Sequence, residues 1–364
     1  MPRTRGGSSN WKWGGTRLKS NKTSHSLDYQ DKPVNDVRAL ITGSAGFLGK
    51  HLVQKIIDKG YEVMGIDIKP SGIAHQKYQE RICDITDEHG IKDIVVSSKP
   101  DVVIHSAAAL AQFVKDKKCL HAINVDGTRH VLSAAHEAGT RKFIFLSSVE
   151  VYGIDVKVPC PETAPLNPVC QYGEDKVACE ALCREYIQKG MNITIFRPPT
   201  IAGPGQNEPT LLGQVISAYK GKSTMLAGGG KTRLQMVNVV DVCTAILLAI
   251  DNPRSNGVIM NLGSDNVPTM REIIVALYEH AGKPVKITSF SPGVARLLVK
   301  LLHKLHLSPV EPQHLEIALR DYMFDTTLAK EILGWKPTKT DIESTIDTYD
   351  WYVNTLEHAG EGKR

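Results

Sequence analysis

The sequence predicts an α/β fold, a doubly wound parallel sheet followed by a smaller C-terminal substrate-binding region. Three observations carry this. From Val37 onward, short apolar runs alternate with amphipathic stretches of helical length. The apolar runs are nearly continuous in Val, Ile and Leu, as strands covered on both faces require. The first run ends in a glycine-rich turn that opens a helix.

The elements follow in order. Strands are predicted at 37–42, 61–67, 102–105, 142–147 and 192–196, separated by helices at 48–59, 88–97, 120–138 and 170–189. This alternation is that of βαβ crossovers. After Pro198 the rhythm breaks at Gly203, Pro204, Gly205, Pro209 and the glycine run 228–230. A helix at 240–250 and a strand at 258–262 follow. Thr269, with Glu272 three residues on, predicts a capping box opening another helix. The expected organisation is a basic disordered tail over 1–36 and a dinucleotide-binding domain over 37–200, to which segments such as 236–262 return. A mainly substrate-binding region spans 201–352, and a flexible C-terminus 353–364.

The chain has 364 residues and a formal net charge of +5. Residues 1–36 hold seven Lys or Arg against three Asp, so this segment contributes +4 and the body is close to neutral. A nucleic-acid-binding body would carry its own basic face, so no nucleic-acid partner is expected. The tail is rich in Gly, Ser, Lys and Asn and has no hydrophobic period. Its first 25 residues loosely fit a transit peptide, but a flexible extension is the expected reading. The seven cysteines form no CxxC pair, and Cys179 and Cys183 lie one helical turn apart. That usage points to reduced thiols, a cytoplasmic protein and no metal site. No apolar run approaches the roughly 20 residues that span a bilayer.

The turn reads Thr42-Gly43-Ser44-Ala45-Gly46-Phe47-Leu48-Gly49. Its glycines permit a tight turn, close approach of backbone to a pyrophosphate, and close helix–strand packing. This is the signature of a Rossmann-type unit. Gly43, Ala45, Gly46, Phe47 and Leu48 are the expected cradle, with the helix dipole helping. The second strand ends at Asp67, beside Ile68. A carboxylate there can accept from both adenosine ribose hydroxyls and would repel a 2′-phosphate, which favours NAD over NADP.

Tyr172 and Lys176 are four apart at the start of a predicted helix, hence on one face. A free phenol, with a pKa near 10, is a poor base at neutral pH. The expectation is that the Lys176 ammonium lowers it, so that Tyr172 takes a proton from a hydroxyl while hydride leaves the same carbon. Ser148, just after a strand, is expected to orient the substrate oxygen. This is the only Tyr-x-x-x-Lys in the chain.

Together these residues resemble the extended short-chain dehydrogenase/reductase superfamily, of the NAD-dependent epimerase/dehydratase type. The resemblance covers about 37–352. Besides Thr42–Gly49 and Tyr172/Lys176 it rests on Asp84-Ile85, His105-Ser106-Ala107-Ala108, Asn124-Val125-Asp126-Gly127-Thr128, Ser147–Gly153, Arg197–Gly205 and Leu333-Gly334-Trp335-Lys336-Pro337. It implies that Asp84 contacts the adenine beside Ile85. It further implies that Ser106, Ala107, Ala108 and Ser147 line the cofactor cleft, that Asn124 supports the site, that Lys176 holds the ribose and that Pro199 lies near the nicotinamide. It also implies a homodimer through helices 120–138 and 170–189. His105 reads as a packing residue and Asp241 as a helix cap.

For the substrate, a nucleotide sugar is favoured, oxidised transiently and then epimerised, dehydrated or decarboxylated. Glu150 supports it, because family dehydratases and decarboxylases often carry Glu there and a carboxylate beside a ketone can remove an α-proton. Val149 replaces the Asp usual in 4,6-dehydratases. Thr200 stands where many sugar-nucleotide members have Asn, and Arg233 is offset from the usual diphosphate arginine, where Leu234 stands. The alternative is a 3β-hydroxysteroid dehydrogenase-like enzyme or another reductase of apolar ketones. Segment 294–307, with apolar 294, 297, 298, 301, 302 and 305 among basic residues, is read as an inward-packing lid in preference to a membrane-surface helix. A catalytically silent NAD sensor is the third class, against which the intact Ser148, Tyr172 and Lys176 argue.

Overall fold

The computed structural model describes residues 37–304 and 312–361. The expected tail at 1–36, residues 305–307 of the amphipathic segment and the last three residues of the expected flexible C-terminus lie outside them.

The first half runs β1 (Arg38–Thr42), α1 (Phe47–Asp58), β2 (Glu62–Asp67), β3 (Tyr78–Ile82), α2 (Glu88–Ser98), β4 (Val102–His105), α3 (Lys117–His121), α4 (Gly127–Glu137), β5 (Lys142–Leu146), α5 (Gln171–Gln188) and β6 (Ile193–Arg197). The second half runs β7 (Thr200–Ala202), α6 (Pro209–Tyr219), β8 (Thr224–Ala227), β9 (Met236–Asn238), α7 (Val239–Ile250), β10 (Ile259–Asn261), α8 (Met270–His280), β11 (Ile287–Phe290), α9 (Pro292–Lys304), α10 (Pro312–Ala318), α11 (Thr327–Leu333) and α12 (Asp341–Glu361).

Seven strands form one parallel sheet in the order β10-β6-β5-β4-β1-β2-β3. The winding reverses between β1 and β4, so a crevice opens above the C-terminal ends of those strands, where α/β sheets bind ligands. The strands are buried on both faces. Every residue of β4, β5 and β6 is buried, which is why they read as unbroken apolar runs. β3 escapes the pattern because it is an exposed edge strand, Tyr-Gln-Glu-Arg-Ile.

The predicted helix 120–138 is instead α3 and α4 joined through a π-type turn, Ala122–Asp126. The expected capping box is present, with Thr269 and Glu272 each accepting from the other's backbone N–H. α7 is capped by Asn238, not by Asp241. Asp241 is buried in the first turn and accepts from the Thr338 N–H and hydroxyl at 3.0 and 2.6 Å. It therefore pins the segment after Trp335, whose indole donates to the Asp241 carbonyl at 2.9 Å.

Two expectations are corrected. Residues 353–361, expected as a flexible end, are helical and form the last turns of α12. Tyr349 and Tyr352 hold that helix to Tyr219 of α6, with ring centroids 6.5 and 5.8 Å apart. Nor does α9 lay its apolar stripe inward. Leu297 is 68% and Leu301 54% exposed, Val294, Leu298 and Leu302 are exposed too, and Ala295 supplies the buried contact. A helical period fixes which residues share a face, but not which way that face turns.

Asp341 opens α12 fully buried, and desolvation pushes its carboxyl up to about 6. An acid whose folded pKa is raised destabilises the fold once pH exceeds its unfolded value of 3.8. The penalty is absent below that pH and complete above about 6. Asp341→Asn should therefore match wild type near pH 4 and exceed it at pH 7.5 by on the order of 2–3 kcal/mol. Urea titrations at both pH values test this; equal stability differences at the two would refute it.

Candidate active site

The glycine turn sits at the mouth of the crevice. Gly43 has φ +74°, and a Cβ on it would come within 2.9 Å of the Ala107 backbone. A Cβ on Gly49 would stand 1.9 Å from the Gly43 carbonyl oxygen. Only glycine lets turn, helix and neighbouring strand end approach this closely. α1 then begins with no side-chain cap and no acidic residue in its first turn. Its first N–H groups remain available to an anion, so the turn fits a dinucleotide pyrophosphate. Gly49→Ala must displace the turn and should weaken NAD binding by about ten- to hundredfold. Fluorescence titration with NADH reads this, and unchanged affinity would contradict the assignment.

Ala45 donates its N–H to Asp67 Oδ2 at 3.0 Å, and Lys69 donates to Oδ1 at 3.3 Å. The carboxylate is thus fixed at the lip of the turn, with a lone pair left on each oxygen. Ile68 beside it is exposed, Leu48 is half-buried, and half-buried Phe47 lies against Gly205. Asp84 is exposed and accepts from the Thr86 N–H and hydroxyl.

Several expected cleft residues use their side chains elsewhere. Ile85 is buried against Gly127 in the core. Ser106 donates its hydroxyl to the Thr42 carbonyl at 2.7 Å, and Ala107 donates its N–H to Thr42 Oγ1, so their backbone closes onto the glycine turn while Ala108 stays exposed. Asn124 exchanges hydrogen bonds with Ala109 N and O at 2.8 and 3.1 Å and donates to Asp175. Ser147 is buried and donates to Glu180 Oε1 at 2.7 Å. The side chains of these last two are thus engaged within the protein. His105 is buried between the Thr42 and Thr128 hydroxyls, and burial, helped by the Lys176 charge, lowers its pKa to about 3 and keeps it neutral.

The catalytic candidates gather where β5 and α5 meet. Ser148 caps a short 3-10 turn, Val149–Tyr152, accepting from Glu150 N at 3.2 Å. An apolar cluster including Val149, Val151, Tyr152, Tyr322 and Phe324 backs this turn. Tyr322 also donates its hydroxyl to the Val149 carbonyl at 3.0 Å. Tyr172 is in the first turn of α5, and Lys176 Nζ stands 5.5 Å from its ring centroid. Lys176 is buried and donates to the Leu146 carbonyl at 2.7 Å.

The expected lowering of the Tyr172 pKa is corrected. Burial pushes the phenol well above its ordinary value, and the Glu150 carboxylate adds to the rise. Lys176 is itself held below the usual ammonium range by burial, so its charge does not dominate. At Glu150, burial pushes the carboxyl up, but His314, Cys170 and Lys176 together outweigh it and leave it below the usual range. Cys170 Sγ donates to Glu150 Oε2 at 3.0 Å, and His314 Nε2 stands 3.7 Å from the same oxygen.

Pro199, expected near the nicotinamide, is buried, and the substrate candidate Thr200 is exposed. Arg233 is half-buried and donates from Nη1 to the Val267 carbonyl, so one arm of its fork is committed to the protein.

Sequence reading missed Cys170 and His314, which join Glu150 from remote segments. It also missed the buried pair beneath the site. Arg197 grips Glu180 through Nε and Nη2 at 2.7 and 2.6 Å and donates to the Tyr152 hydroxyl at 2.8 Å. No local spacing announces these partners.

The fold and this constellation define a dinucleotide-dependent α/β enzyme. A profile of the NAD dependent epimerase/dehydratase family matches residues 39–263, and the chain belongs to that family. It is therefore an NAD-dependent enzyme of the extended short-chain dehydrogenase/reductase type. It is 28% identical over 334 residues to a UDP-glucose 4-epimerase of Mycolicibacterium smegmatis, covering 87% of this chain and 99% of that one. It is 30% identical over 269 residues to a UDP-N-acetyl-alpha-D-glucosaminuronate decarboxylase of Bacillus cytotoxicus, covering 69% and 82%. The crystal structure of a UDP-glucose 4-epimerase from Thermotoga maritima with UDP-glucose superposes with a TM-score of 0.75 at 27% identity, covering 88% of this chain and all of that one.

Proposed function

We propose that this enzyme oxidises a ring hydroxyl carbon of a nucleotide sugar to a transient ketone, reacts the keto-sugar further, and restores the oxidation state in the same site. One observation carries the reading: a carboxylate, Glu150, held ionised beside the candidate acid–base Tyr172. An alcohol oxidation alone needs no second base, whereas removal of a proton α to the ketone does. The relatives that act on UDP-sugars support the substrate class.

Bound NAD would supply the hydride acceptor and donor. The chain's own residues do the rest. Ser148 orients the substrate oxygen, Tyr172 takes and returns the hydroxyl proton, and Lys176 holds the ribose and contributes positive charge. Glu150 removes the proton made acidic by the neighbouring ketone. Thr200 and the uncommitted arm of Arg233 are the proposed contacts to the substrate's diphosphate or sugar.

A thermal-shift panel of UDP-, GDP- and dTDP-sugars and sterols, each with NAD, tests the class. Stabilisation by a nucleotide sugar is expected; stabilisation by sterols alone would replace this reading with the apolar-ketone one. Proton NMR of the stabilising sugar then separates epimer from dehydrated or decarboxylated product, and a closed redox cycle predicts no net NADH.

We further propose a cytoplasmic homodimer. All seven cysteines are free, which suits a reducing compartment. The outer surface of α4 and α5, with Ala181 exposed, is the proposed dimer face, and light scattering of Ala181→Arg tests it. The outward apolar stripe of α9, flanked by exposed Lys300 and His303, is proposed to touch anionic membrane. Co-sedimentation with phosphatidylserine vesicles should be lost in Leu297→Glu/Leu301→Glu.

A further inference from the structure

We propose that Glu150, Cys170 and His314 form a binding site for a thiophilic divalent cation, best matched by Zn²⁺. The three side chains come from the turn after β5, the N-cap of α5, and α10. Their donor atoms all lie within 4.8 Å of one another. Sγ and Nε2 stand 3.0 and 3.7 Å from the same carboxylate oxygen. Around a tetrahedral zinc with bonds of about 2.0–2.3 Å, neighbouring ligand atoms stand about 3.3–3.7 Å apart. Small side-chain rotations therefore complete the site.

The donor chemistry selects the ion. One sulfur, one imidazole nitrogen and one carboxylate oxygen suit zinc and its near neighbours, whereas Mg²⁺ and Ca²⁺ prefer oxygen alone. Three protein ligands leave a fourth position open, as in zinc sites that keep a water. Cys170 is also placed to become a thiolate. It is the N-cap of the 18-residue α5, and Gly173 donates its N–H to Sγ at 3.4 Å. On binding, the S–H bond breaks and an S–Zn bond forms. The proton passes to solvent, and His314 coordinates as neutral imidazole through Nε2.

The ion would occupy the carboxylate beside Tyr172. Bound Zn²⁺ then removes Glu150 from proton transfer and inhibits turnover reversibly. That consequence rests on the function proposed above; the binding does not.

The test uses the full chain, reduced and stripped with a chelator, then titrated with Zn²⁺ against a chromophoric chelator. One ion per chain is expected in wild type and in Cys119→Ser, which removes an exposed thiol that is not one of the three ligands. Stoichiometric binding should be lost in Cys170→Ser and in His314→Ala. Co²⁺ in place of Zn²⁺ should give thiolate-to-metal charge-transfer absorption that Cys170→Ser abolishes. Absence of a stoichiometric site in wild type, or its persistence in both variants, overturns the proposal. Should Cys170→Ser fail to fold, His314→Ala and the wild-type cobalt spectrum still decide. No sugar substrate enters these titrations, so failure of the functional reading would appear separately, as absent turnover with the metal site intact.

Discussion

Tyr172→Phe should lower kcat by about 10²–10⁴, the usual worth of a positioned acid–base group, while leaving NAD affinity nearly unchanged. The ring, which stands 5.5 Å from Lys176 Nζ, is retained and only the hydroxyl is lost. The size of the effect follows from the site's electrostatics. In the protein alone, burial and the Glu150 carboxylate hold the phenol protonated. It can give up its proton near neutral pH only when positive charge is added beside it in the assembled complex. Two measurements check this. The variant should lose turnover of the true substrate with little change in NADH titration. Glu150→Gln, which removes the opposing negative charge, should shift the Tyr172-dependent limb of the pH profile of the hydride-transfer step, read as NADH formed in a single turnover, to lower pH. Full turnover in Tyr172→Phe would remove the phenol from the mechanism.

The second large effect concerns stability. Arg197→Met should cost about 3–5 kcal/mol, because it strands a buried charge. Both partners are almost completely buried, Arg197 at 1% and Glu180 at 0% side-chain exposure. Arg197 binds both Glu180 oxygens, Ser147 donates to one of them, and half-exposed Arg184 reaches the other at 3.1 Å. Without Arg197 the carboxylate keeps only those weaker partners, and Tyr152 loses its guanidinium neighbour. For a domain of this size the loss corresponds to a fall in Tm of roughly 5 °C. The double variant Arg197→Met/Glu180→Leu should recover much of it, since removing both charges also removes the desolvation penalty. Thermal unfolding of the three proteins tests this. A double variant no better than the single one would mean that the pair is held by packing and not by charge.

Much of the candidate redox site was legible in the chain because its signals are local. The glycine turn, Asp67 at the end of β2, and Tyr172 with Lys176 one helical turn on are each set by spacing along a single element. Their places follow from strand and helix periods alone. The alternation of apolar runs likewise foretold the strands, since β4, β5 and β6 are buried on both faces. β3 was missed because an exposed edge strand needs no apolar run.

What the sequence determined by itself was the α/β winding, the dinucleotide turn and the Tyr–Lys pair, all short-range consequences of backbone geometry. Tertiary structure alone decided their electrostatics. It desolvated Tyr172 next to Glu150 and so reversed the expected direction of its pKa. It spent Ser147 and Asn124 on internal contacts and turned α9 outward. It also brought Cys170 and His314 to one carboxylate oxygen from segments with no shared period. Hydrogen bonds, burial and charge act through space, and through-space neighbours more than a few residues apart leave no mark in the order of the amino acids.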